Sequence, residues 1–501
     1  MKEKIEIDWL ARWATYSPKK VALKCVDSNR SFTYLELFER STQLAGLLKA
    51  KHSIGKGDRV VVYAYNGPET VFLFFALQRL GAILVPVNFR YTAREVDHVV
   101  EDSKPKLIIS HSCFASVMQN VNLRGADHLS FDQGESLEKY LFSLEHIPFN
   151  EFEGEFEDEV MILYTSGTTG APKGALISHK MLFWNSINTG MRLNITSSDV
   201  TPIFHPFFHT SGWNVLTTPF FHHGAQILML KKFEAEKILE LVENEKVSIL
   251  FGVPTMMDMM ARAPGFKERK LNSLRFAIVG GEPMPLDLID IWAERAVPIR
   301  QGYGLTEFGP NVFSLNGEDA VRKSGSIGFA NFYVDIKIID AQGHELKGPD
   351  EVGELCLKGP MCTSGYWQNP EATKKDIVDG WFHTGDLVRR DEEGYFYVVG
   401  RKKEMFISGA ENVYPAEVEK FLRTNQHIRE VAVVGVPDKI WGEVGKCYYA
   451  SEDGTPLKEE ELKSFCQMGL AKYKVPKYFV HLPELPKGDS GKILKRALPL
   501  T

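Results

Sequence analysis

Short apolar runs rich in β-branched residues recur along this chain, separated by longer stretches of helical periodicity, and that alternation leaves few folds open. Arg59-Val-Val-Val-Tyr63, Gly81-Ala-Ile-Leu-Val85, Val247-Ser-Ile-Leu-Phe251 and Phe276-Ala-Ile-Val279 are such runs. They predict buried, largely parallel sheets layered with helices. Ser31-Phe-Thr-Tyr34, followed by Leu35, Phe38, Leu44, Leu47 and Leu48, predicts an amphipathic helix with Ser or Thr near its N-cap. The most apolar stretch, Val71 to Val87, is interrupted by Gln78, Arg79 and Gly81. It falls short of the roughly 18 apolar residues that would span a bilayer and reads as a buried helix followed by a strand.

With 501 residues the chain has room for more than one core at about 150 residues per domain. Its character changes from about 321 to 398, where strand-like runs at Val334 to Ile339 and Gly353 to Leu357 alternate with Gly, Asp and Pro turns, as in an antiparallel or barrel-like lobe. After Gly400 comes a set of elements of its own. It comprises a helix from Ala416 to Leu422, strands at Val431 to Val434 and near Cys447 to Tyr449, and a helix from Glu459. This tail is large enough to be a domain.

Fifty-nine basic and 65 acidic residues give a net charge of -6, with no global basic surface to invite nucleic acid. Cysteines at 25, 113, 356, 362, 447 and 466 show no CxxC spacing, which predicts reduced, mostly structural thiols. Lys2 to Asp8 contains no apolar h-region, so a secretory signal is not expected and a cytoplasmic location follows.

The richest chemistry lies in Val160-Met-Ile-Leu-Tyr-Thr-Ser-Gly-Thr-Thr-Gly-Ala-Pro-Lys-Gly174. An apolar strand there runs into hydroxyls and glycines, able to bring backbone N–H groups and side-chain hydroxyls to phosphate oxygens while Lys173 supplies charge. The GxxxxGK[ST] spacing of a P-loop fails, since Pro172 and Lys173 stand five and six residues after Gly167. Taken alone, such a loop reads rather as a flexible Gly/Ser/Thr loop with a solvated lysine.

Tyr164-Thr-Ser-Gly-Thr-Thr-Gly-Ala-Pro-Lys-Gly174 resembles the signature loop of the adenylate-forming superfamily, which includes acyl-CoA synthetases, peptide-synthetase adenylation domains and beetle-type luciferases. Further similar segments follow in the family's order. They are His205-Pro-Phe-Phe-His-Thr-Ser-Gly212, Gly280-Gly-Glu-Pro283, Gln301-Gly-Tyr-Gly-Leu-Thr-Glu307, Trp381-Phe-His-Thr-Gly-Asp386, Gly400-Arg-Lys-Lys403 and Pro486-Lys-Gly-Asp-Ser-Gly-Lys492. The resemblance covers nearly the whole chain. It implies an α/β fold, with a large N-terminal domain (1–400) of layered α/β sheets plus a β-barrel-like lobe, and a small mobile α+β C-terminal domain (401–501).

It also implies roles, each beside a plainer reading. Thr165, Ser166, Gly167, Thr168, Thr169, Gly170 and Lys173 would cradle the phosphates of ATP. Glu307 would hold Mg²⁺ with Thr306 on phosphate, hard oxygen ligands suiting magnesium; the plainer reading is an acid at a helix N-terminus. Tyr303, with Gly302, would stack on adenine in a pocket lined by Gly281, Glu282 and Pro283, and is otherwise a core aromatic. Asp386 would take the ribose hydroxyls, reinforced by Arg401, and is otherwise a turn residue. Lys492 is the expected catalytic cation, because carboxylate attack on an anionic α-phosphate needs positive charge there; otherwise it is a solvated lysine beside Lys487, Lys495 and Arg496. His209 would stand between the acyl pocket and the thiol approach, with Ser408 and Gly409 along the coenzyme A path. Ala410 departs from the second glycine common there, and Lys403 takes a hinge position often held by aspartate.

These matches imply an ATP-dependent carboxylic acid:CoA ligase working through acyl-AMP, with ATP, Mg²⁺ and coenzyme A as cofactors. Medium or long fatty acids lead among the substrates, with aryl acids behind them. Phe207, Phe208, Trp213, Met256, Met257, Met260, Phe308 and Phe313 suit either. A long-chain acid would entail transient membrane contact, and a homodimer is the default assembly. Two rivals remain: an adenylating enzyme that loads a carrier protein, and a non-catalytic nucleotide-binding protein on the same fold. The Phe207-Phe-His-Thr-Ser-Gly-Trp213 run offers no carboxylate for a substrate ammonium, which counts against an amino-acid substrate.

Overall fold

The computed structural model describes residues 7–142, 147, 149, 151–165, 172–408, 411–488 and 492–499. The chain forms two compact units, Met1–Asp335 with Leu357–Phe382, and Ile336–Cys356 with His383–Thr501. Both mix helices with sheets, so the α/β class expected from the alternating pattern holds.

In the first unit the expected helix runs from Tyr34 to His52. Its cap is Thr33, whose side chain accepts from Glu36 N at 3.2 Å while the Glu36 carboxylate accepts from Thr33 N at 2.8 Å. This reciprocal pair satisfies two of the helix's orphan donors. The helix Pro68–Leu80 is buried along its whole length and stops at Gly81, whose φ of 63° only glycine adopts without cost. The strand Ile83–Pro86 follows at once, also buried throughout, so the apolar stretch is core rather than a membrane span. No helix among the described residues is long and apolar enough to cross a membrane.

That strand belongs to a six-stranded sheet ordered Asp127–Ser130, Leu107–Ser110, Arg59–Tyr63, Ile83–Pro86, Glu159–Thr165 and Lys173–Ser178. Pairing is parallel until the last pair, which is antiparallel and aligns Thr165 with Lys173. A second sheet runs Ile249–Gly252, Phe276–Val279 and Ile299–Tyr303 in parallel, then Phe313–Ser314 and Phe329–Ala330 antiparallel. Beneath it Leu250, Ala277 and Val279 pack with Ile238, Leu271, Met257, Met260 and Trp292. Each such fully buried aliphatic side chain contributes roughly 1.5–3 kcal/mol. A third sheet joins Arg30–Thr33, Val21–Cys25, Gln226–Met229 and Val200–Ile203.

In the second unit, Glu345–Leu346, Asp335–Ile339 (from Ile336 onward), Gly353–Lys358 (as far as Cys356), Trp381–Arg390 (from His383 onward) and Phe396–Arg401 form the lobe expected from the turn-rich sequence. After it, Glu411–Val413, Phe406–Ser408, Gly442–Ser451 and Ile428–Asp438 make an antiparallel sheet, with Tyr478–His481 added in parallel to Gly442–Ser451. The helices Pro415–Leu422 and Glu459–Gln467 cover one face through Val418, Leu422, Leu462 and Cys466. Leu485 and Leu498 close the other face over Ala432, Tyr448 and Ala450. All six cysteines are free; Cys25, Cys356, Cys447 and Cys466 are buried, Cys362 is half-buried and Cys113 is exposed.

Candidate active site

In the first unit, functional side chains gather at the ends of two sheets. The strand Glu159–Thr165 pairs antiparallel with Lys173–Ser178, which sets Thr165 opposite Lys173. Thr165 Oγ1 donates to Lys173 O at 3.4 Å. Ser166, Gly167, Thr168, Thr169 and Gly170 lie outside the described residues. The Lys173 ammonium sits 4.8 Å above the ring of Tyr366 and 3.8 Å from Asp376 Oδ2.

The Tyr366 hydroxyl lies 3.1 Å from Glu307 Oε1 and 3.0 Å from Asp376 Oδ2. A phenol carries one proton, so it donates to one of these carboxylates at a time. Burial, then the two carboxylates, push the Tyr366 pKa far upward and keep that proton in place. Lys173, Asp376, Tyr366 and Glu307 therefore form one connected array of cation, acid, phenol and acid. Thr306 and Glu307 stand in a short turn, Thr306–Phe308, at the end of the strand Ile299–Tyr303. The chain returns so tightly after it that a Cβ on Gly304 would lie 1.3 Å from Pro310 O, which explains the glycine there.

Tyr303 is half-buried, edge-on to Phe313 at 5.8 Å, so one aspect of its ring remains toward solvent. The loop through Gly281, Glu282 and Pro283 is clamped by Gln301: its Nε2 donates to Val279 O at 3.2 Å and Glu282 O at 3.0 Å, and its Oε1 accepts from Met284 N at 3.0 Å. Gln301 thus ties the Tyr303 strand to that loop. His209 is half-buried, leads into the helix Thr210–Trp213 and lies 4.5 Å from Phe208, ring to ring. Its neighbour His205 is sandwiched between Phe204 and Phe251, and burial, with His209 nearby, lowers its pKa to about 3, so it stays neutral.

Several aromatic and Met side chains expected around an acyl pocket are packed into core. Trp213 stacks on Phe207 at 4.1 Å and is fully buried, and Met257 and Met260 join the cluster around Trp292.

In the second unit, Asp386 and Arg401 face each other across paired strands, with Arg401 Nε 2.7 Å from Asp386 Oδ1. Asp386 is only 4% exposed, whereas its guanidinium partner is half in solvent. Thr384 anchors the pair: its Oγ1 accepts from Asp386 N at 3.0 Å and its carbonyl accepts from Arg401 Nη1 at 3.3 Å. Lys402 pairs with Glu354 at 2.8 Å, and burial, then Arg401, lower the pKa of Lys403. Lys492 is exposed, and its carbonyl accepts from Gly488 N at 2.7 Å. The nearby lysines are engaged structurally, Lys495 with Glu404 at 2.7 Å and Glu419 at 2.8 Å, Lys487 with Glu430 at 2.5 Å. Ser408 is buried at the end of its strand; Gly409 and Ala410 lie outside the described residues.

Sequence reasoning missed Tyr366, Asp376 and the clamp by Gln301. Gln301 stood inside a recognised segment without a role; Tyr366 and Asp376 carried no local signal.

The arrangement is that of a nucleotide-activating enzyme, and comparison with known proteins agrees. The AMP-binding enzyme model matches residues 10–367 and the AMP-binding enzyme C-terminal domain model matches 417–492. The chain is 37% identical over 487 residues to a feruloyl-CoA synthase of Amycolatopsis sp, covering 97% of each. It is 34% identical over 512 residues to the long-chain-fatty-acid–CoA ligase FadD13 of Mycobacterium tuberculosis, covering 98% of this chain and 97% of that one. The o-succinylbenzoate CoA synthetase of Bacillus subtilis, solved with its acyl-adenylate intermediate, superposes with a TM-score of 0.88 at 30% identity, covering 98% and 97%. This chain belongs to the AMP-binding enzymes, the adenylate-forming superfamily, on their acyl-CoA synthetase branch.

Proposed function

We propose that the protein joins a carboxylic acid to coenzyme A in two half-reactions, acyl-AMP formation with release of pyrophosphate, then thioester formation with release of AMP. The observation that supports the site assignment is the Lys173, Asp376, Tyr366 and Glu307 array at the end of the paired strands Glu159–Thr165 and Lys173–Ser178. It brings a cation and carboxylate oxygens onto one phenol, groups of the kind that would hold a magnesium triphosphate. No group of three or more His, Cys, Asp or Glu gathers as a metal cage among the described residues, and Mg²⁺ bound through one carboxylate and phosphates needs none. When bound, Mg²⁺ neutralises triphosphate charge.

In this reading Lys173 and Thr165 hold phosphate oxygens, Thr306 the α-phosphate, and Tyr303 the adenine. Asp386 takes the ribose, with Arg401 paired to its carboxylate. Lys492 supplies charge as the acid attacks the α-phosphate, and its exposure suits a group that must act and then withdraw. Lys403 serves as the pivot at the boundary of 1–400 and 401–501, His209 guards the thiol approach, and Ser408 lies on the coenzyme A path. We place the protein in the cytoplasm, where ATP and CoA are supplied, and take a homodimer as its working assembly.

The core packing of Trp213, Met257 and Met260 removes them as lining for either acid class. The similarity to a feruloyl-CoA synthase supports an aryl acid, and that to a long-chain fatty-acid ligase supports the alternative. The test is pyrophosphate release with Mg·ATP across fatty, aryl and amino acids, with and without CoA, products weighed by mass spectrometry. A CoA-dependent acyl-CoA is expected; adenylate accumulating without thioester would point to a carrier-protein acceptor.

A further inference from the structure

The Lys173, Asp376, Tyr366 and Glu307 array gathers one ammonium and two carboxylates around a single phenol. Lys173 and Glu307 have tasks in the ligase reading, and Asp376 has none. Its local setting disfavours a carboxylate. Asp376 is the last residue of the helix Pro370–Asp376, where the carbonyl end of the helix repels negative charge, and the two residues before it, Lys374 and Lys375, are basic as that end prefers. Its position is nonetheless fixed, because the helix is pinned to the Tyr366 segment. Tyr366 N donates to Thr373 Oγ1 at 2.9 Å, Thr373 Oγ1 donates to Asn369 O at 2.9 Å, and Asn369 N donates to Tyr366 O at 3.1 Å. A Cβ on Gly365 would lie 2.5 Å from Thr373 Cγ2, so the helix and that segment are in close contact.

This frame brings Asp376 Oδ2 to 3.0 Å from the Tyr366 hydroxyl and 3.8 Å from Lys173 Nζ. The two charged side chains are only 20% and 23% exposed, so salt and water screen the pair less than they would on the open surface. At 3.8 Å the contact is electrostatic rather than a hydrogen bond, and an oxygen that takes the ammonium N–H groups can displace it. Two carboxylates against one ammonium also leave the array net negative, and a triphosphate is itself an anion. A carboxylate beyond the one assigned to Mg²⁺ therefore opposes nucleotide binding through its claim on Lys173.

We propose that Asp376 sets the affinity of this protein for ATP by competing with phosphate oxygens for the Lys173 ammonium. The proposal rests on the ligase reading above, in which Lys173 holds phosphate. Binding exchanges the Asp376 carboxylate for phosphate at Lys173, and the reverse exchange returns the ammonium to Asp376 as pyrophosphate leaves. Interactions made equally with the bound substrate and the transition state lower KM without raising kcat, so a competitor that weakens them does not slow the chemical step.

The test is the Kd of α,β-methylene-ATP with Mg²⁺, read by calorimetry on the full-length protein so that no turnover is needed. Asp376→Asn keeps the size of the side chain and an oxygen that can accept from Tyr366 while removing the charge, and it should tighten binding by about three- to tenfold. Loss of a merely structural residue weakens binding, so the sign of the change separates the two roles. In a Lys173→Met background the same substitution should move Kd by no more than about 1.5-fold, because no ammonium is left to compete for. Asp376→Ser carries the same comparison if the asparagine variant does not fold. Unchanged or weaker binding in folded Asp376→Asn overturns the proposal, and so does an equal tightening in the Lys173→Met background. Pyrophosphate release by the native protein is followed separately with Mg·ATP and the panel of acids, and its absence with every acid overturns instead the ligase reading beneath.

Discussion

Tyr366→Phe removes one oxygen and leaves the ring on which the Lys173 ammonium rests at 4.8 Å. In the native protein that oxygen is 3.1 Å from Glu307 and 3.0 Å from Asp376, with one proton to share. The substitution therefore deletes one hydrogen bond to a charged acceptor, about 1.5–3 kcal/mol, and not two. If the bond orients Glu307 for Mg²⁺, that loss appears in the adenylation step as about a 10- to 100-fold fall in rate. Half-saturation by Mg²⁺ should shift to higher concentration, because the ligand carboxylate is no longer held. Tyr366 is protonated at all accessible pH, so the effect should be independent of pH from 6 to 9. The assay is pyrophosphate release against Mg²⁺ at saturating ATP and acid, with thermal melting to confirm folding. An unchanged rate and unchanged Mg²⁺ dependence in a folded variant would refute the positioning role.

Lys492→Ala should slow acyl-AMP formation by about 100-fold or more while thioester formation from pre-made acyl-AMP survives, because the charge is needed only as the α-phosphate is attacked. Single-turnover assays of the two halves read this directly, and full-rate adenylation would sink the assignment. Glu159, half-buried and hydrogen-bonded from Ser364 Oγ at 2.5 Å, has its pKa raised to about 7, desolvation being the main cause. Its folded pKa lies above the unfolded value, so the native state binds the extra proton between about pH 4.5 and 7, and stability falls as pH rises through that window. Glu159→Gln should thus gain on the native protein by about 1–3 kcal/mol between pH 5 and pH 8 in denaturant melts, and no change in that difference would refute the shift.

Much of the architecture was legible in the chain. Runs at Arg59 to Tyr63 and Phe276 to Val279 became strands because their pattern allowed only burial, and Thr33 declared the start of its helix through Glu36 three residues on. Gly81 was read into the following strand but ends the preceding helix, a choice made by its left-handed φ of 63° rather than by hydropathy. At the site, Asp386 and Arg401 were named separately from sequence; their 2.7 Å pairing came from strand register. The aromatic and Met residues near His209 looked like an acyl lining, and Trp213, Met257 and Met260 proved to be core, since hydropathy does not say which apolar surface a side chain meets.

By itself the sequence determined the layered α/β class, the strand that leads into the Gly/Ser/Thr segment, and the family of chemistry, because strand periodicity, caps and short motifs are written over a few neighbouring residues. The tertiary structure alone decided that Tyr366 bridges Glu307 and Asp376 under Lys173, and that Gln301 clamps the loop through Glu282. Those partners come together only when separate sheets pack, and whether a buried donor or acceptor finds a match depends on that packing.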